Sequence, residues 1–115
     1  MITATFTFNR DRREASLCLK GHAGQADIGQ DIVCASASIL AYTVAQIIKA
    51  MDSHKDLVET PTISLENGDG IVSCRAKDDY LYSEVLHTFF VVQTGYALLA
   101  HNYPQHVQII TDGEA

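Results

Sequence analysis

The chain has 115 residues, of which 47% are hydrophobic and 19% charged, enough for one domain with a buried core and no need of disulfide or metal staples. Its formal charge of −6, with only Arg10, Arg12 and Arg13 grouped among the basic residues, excludes a surface that neutralises many phosphates of a duplex; a basic protein partner fits better than a nucleic acid. The three cysteines form no CxxC pair and exclude a disulfide framework, while the absence of an uninterrupted apolar run of about 18 residues and the alternating start give no sign of a membrane span or signal peptide, so the expected location is cytoplasmic.

Ile2, Ala4, Phe6 and Phe8 alternate with Thr3, Thr5 and Thr7, which predicts a strand with one buried face. A polar turn from Asn9 to Glu14 leads to a second alternating run, with Ala15, Leu17 and Leu19 on one side and Ser16, Cys18 and Lys20 on the other. That pair reads as a hairpin ending at Gly21 and His22. The next segment, Ala23, Gly24, Gln25, Ala26, Asp27, Ile28 and Gly29, has little bulk and two glycines, so it is expected to be a flexible loop. Asp31 then suits a helix N-cap, its carboxylate accepting from the N–H of Val33 or Cys34. The helix runs to about Asp52 on a stripe of Val33, Ala37, Leu40, Val44, Ile47 and Met51, with the small residues Cys34, Ser38, Ala41 and Ala45 along its edge.

Pro61 to Ala76 reads as a second hairpin turning at Asn67-Gly68, a dipeptide suited to the positive φ angles of a type I′ turn. Its register sets Glu66 opposite Asp69, Leu65 opposite Gly70 and Ile63 opposite Val72, and puts Cys74 in the core. Asp78 or Asp79 caps a second helix with the stripe Leu81, Val85, Phe89, Val92, Tyr96 and Leu99. Leu86, Phe90, Val91 and Leu98 widen this face, so the helix is either central or covered by another subunit. Pro104 stops it, Val107 and Ile109 begin a last strand, and the acidic tail from Asp112 to Ala115 is expected to fray. The whole is a single α+β domain over residues 1–115, in the order strand, strand, helix, strand, strand, helix, strand: about five strands covered by two long helices.

The chemistry centres on Gly21 to Ser38. A cysteine acts as its thiolate, and both a helix N-terminus and a neighbouring imidazolium favour that form. Cys34 has the first by position, and the loop after His22 is long enough to supply the second. If the two meet, the reaction class is acyl transfer, with free N–H groups of the first helical turn, that of Cys34 included, stabilising the oxyanion. Asp31 would oppose a thiolate beside it, so capping the helix or orienting His22 suits it better. Each residue also has a plainer reading: Cys34 as a small core residue, His22 as a surface residue, the glycine loop as a connection without phosphate-loop spacing. A zinc site of Cys18, His22 and Cys34 lacks a fourth ligand, and His54, His87, His101 and His106 show no usable pairing with carboxylates; no metal and no cofactor are expected.

The runs Gly21-His22-Ala23 and Gly29-Gln30-Asp31-Ile32-Val33-Cys34-Ala35, followed by a serine-containing helix, closely resemble the signature of the ribosomal-processing cysteine protease family Prp. The likeness extends along the chain. It implies a dyad of His22, as base and proton donor, and Cys34, as nucleophile. It further implies a homodimer that removes an N-terminal extension from the large-subunit ribosomal protein numbered twenty-seven, after a hydrophobic, aromatic-rich sequence. The family's mobile segment over the site falls on residues 23–29, where a lid ordering on substrate is expected. Two alternatives stand beside this reading: a non-catalytic ribosome-assembly or protein-binding module, and a thiol redox protein, for which Cys34 has no resolving cysteine close in sequence.

Overall fold

The computed structural model describes residues 1–21, 28–66 and 69–115, with side chains in the first helix described from residue 32. Its elements are β1 (Ile2–Asn9), β2 (Glu14–Lys20), α1 (Ile28–Ser53), β3 (Thr62–Glu66), β4 (Asp69–Arg75), α2 (Asp79–Asn102) and β5 (Val107–Glu114). The strands form one sheet in the order β3-β4-β2-β1-β5, antiparallel throughout except for the parallel β1–β5 pair. This is the α+β architecture expected from the sequence.

The alternation in β1 decides which side is covered. Ile2, Ala4, Phe6 and Phe8 are buried and join residues of both helices in one core, whereas Thr3, Thr5 and Thr7 lie on the uncovered face. Phe8 meets Phe90 and Phe89 edge to face at centroid separations of 5.4 and 6.4 Å, and Phe6 meets Tyr96 at 5.9 Å. Burying each large apolar side chain is worth about 1.5–3 kcal/mol, so this strand is a principal tie between sheet and helices. The second hairpin has the expected register, Glu66 opposite Asp69, Leu65 opposite Gly70 and Ile63 opposite Val72, and Cys74 is buried; Asn67-Gly68 lies outside the described residues.

Asp78 caps α2, accepting a 2.8 Å bond from the Leu81 N–H. The helix lays Tyr82, Val85, Phe89, Val92 and Tyr96 into the core; Leu81 and Leu99, expected in that stripe, are only half-buried at its edge. It meets α1 closely at Gly95, where an added Cβ would stand 2.6 Å from Leu40 Cδ2. The Tyr96 hydroxyl donates a buried 2.7 Å bond to the Ala37 carbonyl, joining the two helices by a polar contact as well.

Three expectations need correction. α1 starts at Ile28, three residues before Asp31, so Ile28 and Gly29 belong to the helix and not to the loop, and Asp31 sits inside the first turn and not at the cap. Nothing from Ile28 to Gln30 forbids helical dihedrals, and a favoured capping residue is only a weak boundary signal. The stripe of α1 is also shifted in part: Val33, Ala37, Val44 and Met51 are buried as expected, but Leu40 is half-buried and Ile47 is 40% exposed, while Ala41, Ala45 and Ile48 take their places in the core. Finally, Asp112 to Glu114 do not fray, because β5 continues beside β1 until Glu114 lies opposite Asn9. The stretch Ile32–Ser53 is long and apolar enough to cross a membrane by length and composition, with mean hydropathy 1.6; here its buried stripe packs on the sheet.

Gly113 allows that late pairing. Its φ is +81°, and an added Cβ would overlap the Phe8 carbonyl oxygen. Gly113→Ala is expected to destabilise the protein by about 1–3 kcal/mol in urea unfolding, through left-handed strain and the lost β1–β5 pairing. Tyr96→Phe should cost about 0.5–1.5 kcal/mol by the same measurement, the value of one hydrogen bond.

Candidate active site

Cys34 lies on the edge of α1 that faces the β3–β4 hairpin, half-buried and packed against the core. Successive residues at i+4 drift only slightly around a helix, so Cys34, Ser38 and Tyr42 continue one edge, with Ala37 and Ala41 just inside it. These residues form one wall of an open cavity of about 250 Å³. Strand ends form the rest: Ile2 begins β1, Leu19 is the last residue but one of β2 and Gly21 just follows that strand, Leu65 and Glu66 end β3, and Asp69 and Gly70 open β4, so two acidic residues stand among the apolar ones. The site is therefore at one end of the sheet, where side chains from α1 meet the ends of four strands.

Gly21 has φ +91°, and an added Cβ would overlap the Met1 carbonyl oxygen. Only glycine fits this exit from β2 without strain. The next residue in sequence, His22, and residues 23–27 lie outside the described residues, as does the proposed loop apart from Ile28 and Gly29. Asp31 is placed by its backbone alone, in the first turn of α1.

The earlier helix start changes the electrostatic argument for Cys34. Counting from Ile28, it is the seventh residue of α1, whereas the free N–H groups belong to the first four. Its own N–H falls within the i→i−4 ladder and is not the oxyanion donor expected from the sequence. The helix macrodipole acts mainly over the first turn, so a thiolate at position seven depends more on a separate base than one at the terminus would.

The other cysteines stand elsewhere. Cys18 pairs across the sheet with Thr5 and Ile71, in a row on the face away from the helices. The sheet thus separates Cys18 from Cys34, which removes the readings that needed the two together, a zinc site or a disulfide couple. Cys74 is in the core, where burial, with a smaller contribution from the Glu14 charge, pushes its thiol up to about 12. Sequence reasoning did not find the cavity walls Leu65, Gly70 and Tyr42. The available signal was Gly70, a glycine at a helix-facing strand position.

A family model described as cysteine protease Prp matches residues 1–108. A ribosomal processing cysteine protease Prp from Staphylococcus aureus is 31% identical over 78 residues, which cover 68% of this chain and 69% of that protein. Among solved structures, SMU.848 from Streptococcus mutans is 27% identical with TM-score 0.67, covering 99% of this chain and 96% of its own. The S. aureus ribosomal processing protease Prp in complex with a substrate peptide superposes with TM-score 0.69 at 21% identity, covering 96% of this chain and 99% of its own. A further structure of that protein, with a covalently linked product peptide, gives TM-score 0.67 at 22% identity, with the same coverage of 96% and 99%. At these lower identities the last two show the shared fold.

The Cys74 environment sets an alkaline limit on stability. Its folded pKa of about 12 lies above the ordinary 9.0, so between these values the folded state holds a proton that the unfolded state releases. Its contribution is fully present below pH ~9 and is lost as pH rises towards ~12. Unfolding midpoints followed from pH 8 upward should fall, and the fall should be shallower in Cys74→Ala once its lower starting stability is subtracted. At pH ~8, native-state iodoacetamide labelling read by peptide mass should modify Cys34 and leave Cys74 unmodified.

Proposed function

The chain belongs to the cysteine protease Prp family, and on that premise we propose that Cys34 is its nucleophile and His22 the base and proton donor of a dyad. It is a cysteine protease of ribosomal processing, so the non-catalytic binding reading gives way to an enzyme. The observation that carries the dyad is that Cys34 and Gly21 line the same cavity, and His22 directly follows Gly21 in the chain. The seventh position of Cys34 in α1 adds the need for a separate base.

In this mechanism His22 takes the thiol proton, and the thiolate attacks the scissile carbonyl to form a tetrahedral oxyanion. Collapse breaks the C–N bond as His22 passes the proton to the departing amine. The N-terminal fragment remains on Cys34 as a thioester. Water, deprotonated by His22, then attacks the thioester, releasing the fragment as a carboxylic acid and restoring the thiol. The covalently linked product peptide in the S. aureus protease is in keeping with covalent catalysis. Asp31, one turn before Cys34, orients His22 rather than capping the helix.

The substrate in this reading is the large-subunit ribosomal protein numbered twenty-seven, carrying an N-terminal extension, processed in the cytoplasm by a homodimer. Exposed Ile32, Ile39, Val91 and Leu98 on the helix layer support an oligomer.

The test is incubation of the extended ribosomal protein with the intact enzyme, Cys34→Ser and His22→Ala, followed by intact mass. One site-specific cut is expected from the intact enzyme, with the rate lowered at least ~1,000-fold in each variant. Cleavage by folded His22→Ala within tenfold of the intact rate would remove His22 from the dyad.

A further inference from the structure

We propose that Tyr96 is a positioning residue for the cleavage reaction: its hydroxyl fixes α1 at the turn that follows Cys34, and so sets the reach from the thiol to the strand exit that leads into His22. The inference rests on the dyad reading of Cys34 and His22. Tyr96 is 0% exposed, so no substrate reaches it and any part it plays is exerted through α1.

Its contacts run between the two carriers of the dyad. The hydroxyl donates a buried 2.7 Å bond to the Ala37 carbonyl, and Ala37 stands three residues after Cys34 on the same side of the helix. The ring meets Phe6 of β1 edge to face at 5.9 Å. Phe6 lies opposite Leu17 in β2, the strand followed by Gly21 and then, in sequence, His22. One side chain of α2 thus ties the turn beside the nucleophile to the strand pair that carries the base.

A hydrogen bond does here what packing does poorly. Apolar burial is non-directional, and a helix held by it alone can turn or slide slightly at little cost. Beside the cavity α1 offers Ala37 and Ala41, too short to interdigitate with the sheet. Among the described side-chain hydrogen bonds, that of Tyr96 is the one joining α1 to α2. Phenylalanine would fill the same space with no buried hydroxyl to satisfy, so what the hydroxyl adds is direction. Side chains reach roughly 5–6 Å from a helix axis, so a rotation of about 10° would move the Cys34 sulfur by about 1 Å. A shift of that size can cost about 100-fold in rate. Burial holds the Tyr96 hydroxyl far above the ordinary tyrosine range, so it remains a donor at any working pH.

The experiment compares the unsubstituted enzyme with Tyr96→Phe, which keeps the ring and removes the hydroxyl, and with Phe89→Leu, which loosens the same helix where it packs on Phe8. Each is assayed well below its own melting temperature. On the extended ribosomal protein, Tyr96→Phe should lower kcat at least tenfold with KM within about threefold, while Phe89→Leu keeps kcat within about twofold even if it melts lower. The second readout is the rate of Cys34 alkylation by iodoacetamide against pH, followed by peptide mass. A neighbouring imidazolium lowers a thiol's titration, so the midpoint should rise by at least about 0.5 pH unit in Tyr96→Phe and stay in place in Phe89→Leu. An unmoved midpoint with kcat within twofold of the unsubstituted enzyme, or equal losses in the two variants, would overturn the positioning role. Alkylation needs no substrate, so it decides that role even where the unsubstituted enzyme cuts nothing, the outcome that would overturn the protease reading instead.

Discussion

The seating of α1 on the sheet is the constraint on which the other features depend. Helix-to-sheet distance is set by the side chains between them, and this helix presents two kinds. Val33, Val44 and Ile48 are buried alongside Ala37, Ala41 and Ala45, and of these Ala37 and Ala41 line the cavity. The bulky members hold the helix off the sheet, and the alanines leave room where they face the cavity. Gly95 lets α2 press against Leu40, and Tyr96 pins the Ala37 carbonyl one turn beyond Cys34. The position of the thiol is thus decided by packing that the thiol takes no part in.

That same packing explains what could be read from the chain and what could not. The strands and the second hairpin were legible because their signals are local: period-two alternation in Ile2 to Phe8, and Asn67-Gly68 between two alternating runs. The capping aspartate of α2 was legible for the same reason. The stripe of α1 was legible only in part: Val33, Ala37, Val44 and Met51 held, but alanine contributes little apolar signal, and Leu40 and Ile47 drew the stripe away from Ala41, Ala45 and Ile48. The persistence of β5 to Glu114 depends on parallel pairing with a strand about a hundred residues earlier, which no local window contains. For the site, the motif marked Cys34, but the cavity wall comes from residues spread over β1 to β4, brought together by topology alone.

The three cysteines show how environment, more than residue type, divides chemistry from structure. Cys74 sits in the core as a small side chain whose thiol is held protonated by burial. Cys18 faces away from the helices, with no part in the core. Cys34 has an intermediate position, braced by the core yet opening on a cavity that reaches solvent. A nucleophile needs both conditions at once: a fixed rotamer for attack, and access for a peptide. Among the described cysteines, the edge of α1 provides that combination.

Opening a cavity at one end of so small a sheet has a stability cost. Glycine in a strand forfeits roughly 0.5–1 kcal/mol against alanine, and the small row at Gly70 and Ala4 forgoes the burial that a Val or Leu would bring. The next row, Ile63, Val72, Leu17 and Phe6, is correspondingly full, and three of its members are at most 1% exposed. Beyond it Ala15 and Cys74 admit Phe8, which closes the far end against Phe89 and Phe90. The sheet is therefore graded along its strands, sparse beneath Cys34 and dense from the next helix-facing row onward. Since the dense rows carry the cooperative core, the sparse end can change its side chains to suit a substrate with less loss of fold than an equal change at Leu17 or Phe6 would bring.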